Sequence, residues 1–289
     1  MDKASVLKLQ CGPFGLTVGE RTLIMGIVNV TPDSFSDGGL FFDRADAIGH
    51  GEALAAAGAD IIDVGGESSR PFSEPVPAQE EIERVGPVIE ELARRLSVPI
   101  SIDTHKAQVA RHAISAGASM VNDIGALGLD PDMASLVAEA GVAVVLMHMK
   151  GTPKGMQVDP HYEDVVGEVG EFLADALARA EQAGIDRTKI VVDPGIGFGK
   201  TVTHNLLLIK HLSGLQALGA PIMIGPSRKS FITKILGNGD ERREVGTQAA
   251  IAVAALYGAH IVRVHDVERT RHTLKLVDAL KNAAGSNEP

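Results

Sequence analysis

Short apolar runs alternate with longer amphipathic segments along the chain from about residue 22 onward. The apolar runs show little polar alternation, which is typical of parallel strands that are covered on both faces. The longer segments are rich in Ala, Glu and Arg and follow a helical pattern. The runs predict strands near residues 23–29, 60–65, 98–103, 119–122, 142–148, 189–193, 221–225 and 261–264, with helices between them that include 44–57, 78–96, 163–183, 244–258 and 267–283.

Eight strands, each followed by a helix, predict a (β/α)8 TIM barrel of the α/β class. Residues 1–21 precede the repeat, and their two short apolar segments predict a β-hairpin at the barrel floor. We therefore expect a single domain over residues 1–289, with the hairpin in 1–21 and the barrel in 22–283. The alternative is an open doubly wound sheet, which the count of eight strands and the missing nucleotide fingerprint disfavour.

The composition narrows the class of protein. Of the 289 residues 45% are hydrophobic but only 3% aromatic, so the apolar mass is largely aliphatic and suits packed helices and parallel strands. The net charge of −10 argues against nucleic acid and anionic membranes as partners. Neither a membrane span nor the apolar core of a signal peptide is predicted. The single cysteine fits a reducing compartment, and a cytoplasmic location is expected.

Every predicted strand ends in residues that can form hydrogen bonds or carry charge. In chain order these are Asn29, Asp63, Asp103, Asn122 with Asp123, His148, Asp193, the segment from Ser227 to Ser230, and Arg263 with His265 and Asp266. A strand-end Asp or Asn often caps the next helix, but capping alone does not account for eight such ends around one rim. Because TIM-barrel chemistry collects at the carboxyl ends of the strands, these residues predict a functional site there.

Two chemically distinct sets can be separated among these residues. Asp103, Asn122 and Asp193 offer acceptors and one amide, which suits the edge of a flat heterocycle with several N–H donors. Buried carboxylates are costly without donors or a cation, so we expect these to be paired to a ligand. The second set is cationic and suits a phosphate or diphosphate. It comprises Arg70, Lys229, Arg263 and His265.

Asn29 and the absent motifs bear on metal chemistry. A neutral side-chain oxygen beside phosphates suits Mg²⁺, which takes few protein ligands and keeps several waters. No HExxH or Cys-x-x-Cys motif predicts zinc, and no Gly-x-Ser-x-Gly motif predicts a nucleophilic serine.

The glycine-rich segment Gly195–Thr201 resembles two nucleotide-binding motifs but matches neither. It ends like a P-loop, but Pro194 stands where the first glycine is required. As a dinucleotide fingerprint it has Lys200 in place of the third glycine.

Two strand-end residues leave alternatives open. His148 fits a buried structural histidine about as well as a ligand contact. Met147 fits core packing, and the alternative is a soft floor under a planar ring.

Eight consecutive motifs resemble those of one enzyme family. They are MGIVNVTPDSFSDGG, DVGGESSRP, SIDT, NDI, LMHMKGTPKGMQ, DPGIGFGK, SRKSF and RVHDV. In order and spacing they are similar to the motifs of the dihydropteroate synthases, a family of pterin-binding enzymes. The resemblance covers the chain from about residue 22 to residue 270.

The resemblance implies a transferase of folate biosynthesis, acting at the step that sulfonamides inhibit. Members of the family join 6-hydroxymethyl-7,8-dihydropterin diphosphate to p-aminobenzoate, which gives 7,8-dihydropteroate and diphosphate. The resemblance also implies a dissociative mechanism assisted by Mg²⁺, in which diphosphate leaves before the aniline nitrogen attacks. A homodimer formed through the last helices is implied as well.

Roles for individual residues follow from the same resemblance. It assigns the pterin to Asp103, Asn122, Asp193, Lys229 and Arg263, with Met147 as the candidate floor under the ring. It assigns diphosphate to Asn29, Ser69, Arg70, Arg263 and His265, Mg²⁺ to Asn29, and p-aminobenzoate to Phe35, Pro71, Lys229 and Ser230. The residues implied to be catalytic are Asp103, Asp193, Lys229 and Arg263.

The chain departs from the family pattern in one loop, where Ser68-Ser69-Arg70-Pro71-Phe72 replaces Ser-Thr-Arg-Pro-Gly. The hydroxyl at position 69 is kept, so the departure bears on inhibitor selectivity rather than on the reaction. Two rival functions stay open. A methyltetrahydrofolate-dependent methyltransferase would share the pterin residues but would not need the cations for diphosphate, and a non-catalytic pterin-binding protein would show no turnover.

Overall fold

An antiparallel hairpin precedes an eight-stranded parallel barrel in the computed structural model, which describes residues 6–31, 40–68, 74–152 and 155–283. The hairpin strands are β1 (Leu7–Cys11) and β2 (Phe14–Val18). The barrel strands are β3 (Leu23–Asn29), β4 (Ile61–Gly65), β5 (Ile100–Asp103), β6 (Met120–Asp123), β7 (Ala143–Met147), β8 (Ile190–Asp193), β9 (Met223–Ile224) and β10 (Ile261–Val264). They pair in the order β8-β7-β6-β5-β4-β3-β10-β9, and a parallel bridge between Val192 and Ile222 closes the sheet.

Helices surround the barrel and connect its strands. They are α1 (Leu40–Ala57), α2 (Ala78–Arg95), α3 (Ala107–Ser115), α4 (Met133–Ala140), α5 (Val165–Gln182), α6 (Val202–Lys210), α7 (Ser230–Leu236), α8 (Asp240–Leu256) and α9 (Val267–Asn282). Short 3-10 helices occupy Arg187–Lys189 and Leu212–Leu218. In the described part of the chain, no helix combines the length and the apolar character that crossing a membrane requires.

The predicted barrel and its floor hairpin are confirmed. All eight predicted strands are present, and their ends differ from the prediction by at most two residues. The helix predicted from residue 44 begins earlier, at Leu40. The open doubly wound sheet is wrong, because the bridge between Val192 and Ile222 joins the two outermost strands. The assignment of residues 1–289 to one domain stays a prediction.

Successive residues of each barrel strand face opposite sides of the sheet. One buried cluster joins the hairpin to the inward residues near the start of the strands. It contains Leu9, Cys11 and Val18 with Met25, Ile61, Met120, Val145, Val191, Met223 and Ile261. Their sequence neighbours, such as Ile24 and Ile62, pack instead with the helices in the larger outer cluster. The hairpin therefore fills the amino-terminal end of the barrel with apolar side chains.

A polar layer lies above this apolar floor. A residue two positions after an inward core residue points to the same side of its strand. Five residues follow the core in this way: Asp63 after Ile61, Asn122 after Met120, Met147 after Val145, Asp193 after Val191, and Arg263 after Ile261. Asp103 joins them as the register partner of Asn122. The barrel interior is therefore apolar near the start of the strands and charged one layer further along them.

Candidate active site

A cavity of about 340 Å³ lies at the carboxyl ends of the barrel strands. Its lining comprises Asp103, Asn122, Ile124, Met147, Asp193, Ile196, Phe198, Met223, Gly225, Lys229 and Arg263. All six residues predicted to hold a pterin are in this set, although they come from five strands and the loop after β9. Barrel closure therefore unites residues that are far apart in the sequence.

A network of charged side chains forms one wall of the cavity. Arg263 lies between two carboxylates, and its Nε donates to Asp63 Oδ2 at 2.6 Å while its Nη2 donates to Asp103 Oδ2 at 2.7 Å. Asn122 Nδ2 donates to the same Asp63 oxygen at 3.0 Å. Burial disfavours the guanidinium charge, but the two carboxylates outweigh this effect and raise the pKa of Arg263. Asp103 therefore has Arg263 as a cationic partner without a ligand, and its pairing to a ligand stays a prediction.

Burial raises the pKa of two cavity carboxylates, because the groups around them do not fully offset the loss of contact with water. Desolvation raises the pKa of Asp103 to about 7, against the opposing effect of Arg263. Asp193 is buried too, and its Oδ1 accepts a hydrogen bond from the backbone nitrogen of Gly195 at 2.6 Å. Desolvation raises the pKa of Asp193 to about 6, although that hydrogen bond and the nearby cations favour its charged form. N–H donors from a ligand would stabilise both carboxylates in the ionised state.

Lys229 enters the cavity from the loop after β9. Its Nζ lies 4.0 Å from the centroid of the Phe198 ring, which is a cation–π contact. Ser230 is the first residue of α7 and is exposed beside it. Lys229 thus contributes a cation to the cavity, and Ser230 lies just outside the lining.

Apolar side chains form another part of the cavity wall. Ile124, Met147, Met156 and Phe198 make a small buried cluster that is separate from both main cores. Met147 packs in this cluster and also lines the cavity. Packing and contact with a planar ligand are therefore compatible for Met147.

Lys200 supports this wall from behind. It is buried, and its Nζ lies 2.9 Å from His148 Nδ1 and donates to the carbonyl oxygen of Phe198 at 3.0 Å. Burial lowers the pKa of Lys200 to about 7 and, with the nearby ammonium, that of His148 to about 3. His148 is therefore neutral at pH 7 and accepts at Nδ1. Of the two interpretations of His148, the structure favours the buried structural one.

The predicted diphosphate and p-aminobenzoate residues divide into two groups. Asn29 ends β3, and Arg263 and His265 lie on and just after the neighbouring strand β10. His265 is held by Ser227, whose Oγ lies 2.9 Å from its Nδ1. These three residues share one end of the barrel. The remaining predicted residues, Phe35, Ser69, Arg70 and Pro71, lie outside the described residues.

The donor set limits what kind of metal ion the protein could hold. Within the described ranges, no group of three or more His, Cys, Asp or Glu side chains could bind a metal. Asn29 offers one neutral oxygen at the end of β3. This arrangement fits Mg²⁺, which takes most of its ligands from water and substrate phosphates.

Asp63 is the functional candidate that the sequence assignments leave out. It is fully buried and contacts both Asn122 and Arg263. Its position two residues after Ile61 places it in the same inward layer as those partners. Strand period was therefore the signal that could have identified it.

A second cavity of about 320 Å³ shares Asp103 and Ile124 with the first. Its other lining residues are Glu67, Ser68, Glu81, Thr104 and His105. Lys106 forms ion pairs with both glutamates of this cavity. One ammonium group therefore balances one of the two carboxylate charges in this cavity.

Comparison with known proteins identifies close relatives along almost the whole chain. The family described as "Pterin binding enzyme" matches residues 25–265. The dihydropteroate synthase of Escherichia coli K12 is 46% identical over 260 residues, which are 90% of this chain and 92% of that protein.

Solved structures of dihydropteroate synthases superpose closely on this chain. That of Xanthomonas albilineans with 4-aminobenzoic acid has a TM-score of 0.91 and 45% identity, and it covers 97% of this chain and 100% of that one. The same protein with 7,8-dihydropteroate gives 0.87 and 44%, with 96% and 100% coverage. The Yersinia pestis protein in a sulfonamide drug complex gives 0.90 and 42%, again with 96% and 100% coverage.

Proposed function

The chain belongs to the dihydropteroate synthases, a family of pterin-binding enzymes, and we propose that its cavity joins 6-hydroxymethyl-7,8-dihydropterin diphosphate to p-aminobenzoate. The products are 7,8-dihydropteroate and diphosphate, and the protein is a transferase of folate biosynthesis. The observation that carries this proposal is that one cavity collects hydrogen-bond acceptors for a heterocycle beside two cations. The methyltransferase and non-catalytic alternatives find no support in the named relatives.

The protein binds the pterin ring through hydrogen bonds to its N–H edge and through contacts with its faces. Asp103, Asn122 and Asp193 present oxygen acceptors, and the N–H and amino groups of a dihydropterin are complementary to them. Met147 supplies an apolar, polarisable surface against the ring. A ring bound in this way has its hydroxymethyl diphosphate directed towards the cationic side of the barrel mouth.

Cationic and polar side chains bind the diphosphate and favour its departure. Arg263, His265 and Asn29 contact it, together with Ser69 and Arg70. These side chains stabilise the negative charge that develops as the carbon–oxygen bond breaks and its electron pair leaves with the diphosphate. Asn29 would hold Mg²⁺ beside the diphosphate, where the ion would supply further charge neutralisation.

A cation then remains on the methylene carbon of the pterin. The carboxylates of Asp103 and Asp193 stabilise it through the ring. The nitrogen of p-aminobenzoate, bound near Lys229, Ser230, Phe35 and Pro71, attacks with its lone pair and afterwards releases one proton. A neutral aniline is already nucleophilic, so this step requires no strong base.

A coupled product assay tests the proposed reaction. The purified protein is incubated with the pterin diphosphate and Mg²⁺, with and without p-aminobenzoate, and released diphosphate and 7,8-dihydropteroate are quantified. We expect equal amounts of the two products when p-aminobenzoate is present. Diphosphate release that is unaffected by p-aminobenzoate, without 7,8-dihydropteroate, would overturn the proposal.

The decrease of kcat/KM at low pH should reflect protonation of the cavity carboxylates. The ionised forms of both carboxylates are the acceptors, so kcat/KM for the pterin diphosphate should begin to fall below about pH 7, where Asp103 is protonated, and fall further below about pH 6, where Asp193 is protonated. The folded pKa of Asp193 lies above the reference value of 3.8, so protonating this group between those values favours the folded state. The loss is therefore not unfolding caused by Asp193. Steady-state kinetics with circular dichroism at each pH would check this, and a flat profile to pH 5 would contradict it.

Binding of p-aminobenzoate should depend on the leaving group. Ser69 and Arg70, which are proposed to bind diphosphate, directly precede Pro71, which is proposed to bind p-aminobenzoate. The affinity for p-aminobenzoate should therefore rise when diphosphate and Mg²⁺ are both present. Isothermal titration calorimetry with neither, either or both additives measures this effect. Asn29→Ala, which removes the proposed Mg²⁺ ligand, should weaken the response to Mg²⁺. Equal affinity under all four conditions would show that the order of binding is wrong.

We propose that two copies of the chain associate through their last helices, as the resemblance implies. Exposed apolar side chains there include Val253, Tyr257, Leu276 and Leu280, and such groups on one face favour a protein interface. Light scattering coupled to size-exclusion chromatography should give twice the chain mass. A monomer at micromolar concentration would contradict the proposal.

A further inference from the structure

Asp63 acts on the cavity without lining it. Its side chain is 0% exposed, and it lies in β4 beneath the residues that face the ligand space. Both of its contacts, from Asn122 Nδ2 at 3.0 Å and Arg263 Nε at 2.6 Å, end on Oδ2. The other oxygen, Oδ1, is buried and has no hydrogen-bond partner in the described part of the chain. Such a buried carboxylate is costly, which calls for a function.

The chemistry of a carboxylate fixes the orientation of its amide neighbour. An ionised Asp63 is an acceptor only, whereas the amide of Asn122 has a donor end and an acceptor end. Only the NH₂ end of Asn122 can therefore face Asp63. Because Asn122 also lines the cavity, its carbonyl oxygen is left as an acceptor for a ligand, beside the second N–H of its NH₂ group.

The same carboxylate orients the neighbouring cation. Arg263 is held at Nε by Asp63 and at Nη2 by Asp103, so the plane of its guanidinium group is set by two anchors. Arg263 and Asn122 are both cavity residues. One buried side chain thus controls two groups that face the ligand.

We propose that Asp63 is a positioning residue that turns the carbonyl oxygen of Asn122 towards the cavity and thereby selects a ring edge with a donor opposite that oxygen. This inference rests on the proposed function, because it specifies how the same cavity distinguishes its ring substrate. Rings with an acceptor opposite Asn122 are rejected, since two acceptors would then face each other in a buried site.

Ligands that lack one donor at a time test this selectivity. The reference ligand is 6-hydroxymethyl-7,8-dihydropterin, and the analogues replace its 2-amino group by hydrogen, methylate N3, or methylate N8. In the wild type we expect the loss of the donor that Asn122 accepts to weaken binding by about 10- to 100-fold. In Asp63→Asn, the amide at position 63 can donate to Asn122, whose own amide can then turn over. The penalty for that one donor should fall to about threefold or less, while the penalties for the other donors persist.

An exchange variant tests the pairing itself. In Asp63→Asn/Asn122→Asp, the new asparagine donates to the new carboxylate, which keeps an oxygen for the cavity, so selectivity for the missing donor should return. Asn122→Asp alone places two carboxylates together and should bind all ligands poorly. Ser101→Ala is the matched control, because Ser101 is buried and is the register partner of Asp63 on β5. It should leave every penalty unchanged.

The outcomes separate this inference from the proposed function. A wild type that does not bind the pterin would contradict the function itself. A wild type with the expected penalties, together with a folded Asp63→Asn variant that keeps all of them, would overturn only the role of Asp63. If Asp63→Asn does not fold, neutron diffraction of the wild type decides: one deuteron on Asn122 Nδ2 should point at Asp63 Oδ2, and a deuterated Asp63 donating to the Asn122 carbonyl would overturn the inference.

Discussion

Replacing Asp193 by asparagine is expected to lower kcat/KM for the pterin diphosphate by about 100-fold or more. Asp193 Oδ1 already accepts from the backbone nitrogen of Gly195 at 2.6 Å, which leaves Oδ2 for the ligand. Asparagine has one oxygen and one NH₂ group. It therefore loses the Gly195 contact or presents a donor to the donors of the ring, and in either case it lacks the charge that stabilises the pterin cation.

The measurement is steady-state kinetics of product formation, with the folded state checked by thermal unfolding. Asp175→Asn is a suitable control, because Asp175 is exposed on α5 and lines neither cavity. Its kcat/KM should match that of the wild type. Near-normal turnover of Asp193→Asn would remove Asp193 from the catalytic residues. Asp103→Asn is expected to behave like Asp193→Asn, since Asp103 also lines the cavity.

Arg263→Lys should have an effect of similar size, about 100-fold in kcat/KM, even though the charge is retained. The guanidinium group reaches Asp63 with Nε and Asp103 with Nη2 at the same time. An ammonium is a point charge and cannot bridge both carboxylates in this geometry. One buried carboxylate is then left without its cation, which is costly in a desolvated site, and the diphosphate loses a planar donor.

Kinetics of this variant should be measured beside those of Arg269→Lys. Arg269 lies on α9, where it pairs with Glu241 at 3.2 Å on the exposed surface, so its replacement should change kcat/KM little. Arg263→Lys should also unfold at a lower temperature, because the network that joins β4, β5 and β10 is weakened. Wild-type kinetics for Arg263→Lys would show that a single charge, rather than the two-anchor geometry, is what the site needs.

The barrel could be predicted because each strand and helix carries its own signal. The run Ala143–Met147, for example, is apolar without interruption, as strands buried on both faces are. Order and count then determine the topology, because parallel strands joined by helices pair with their chain neighbours. The short helices α3, α4, α6 and α7 were not located by residue, because they carry only seven to nine residues of pattern.

The cavity residues could be predicted for a different reason. Strand-end polar groups such as Asn122 and Asp193 stand out against aliphatic neighbours, and the fold brings all strand ends together. The residues that contact these polar groups did not stand out in the sequence in this way. Asp63 was recognised as a strand-end residue but received no role, since its contact with Arg263 joins positions 200 residues apart. Its position two residues after Ile61 becomes informative only when the inward face of the strand is assigned.

The role of Lys200 could not be predicted from the sequence, for a different reason. In the sequence it belongs to a glycine-rich segment, and rejection of the nucleotide-binding motifs left it without a role. In the fold it is buried behind Phe198 and interacts with His148. A buried lysine without a nearby carboxylate in sequence gives no local signal, because its acceptors are a backbone carbonyl and a neutral imidazole from another loop.

A crystal structure of this protein with 7,8-dihydropteroate tests the central claim most directly. The account predicts the pterin ring in the cavity lined by Asp103, Asn122, Asp193, Lys229 and Arg263, with ring N–H groups within hydrogen-bond distance of the three acceptor side chains. The aminobenzoate part should extend past Lys229 towards Ser230. A pterin ring bound elsewhere, such as in the neighbouring cavity beside Glu67 and Thr104, or bound without contact to Asp103 and Asp193, would contradict the account.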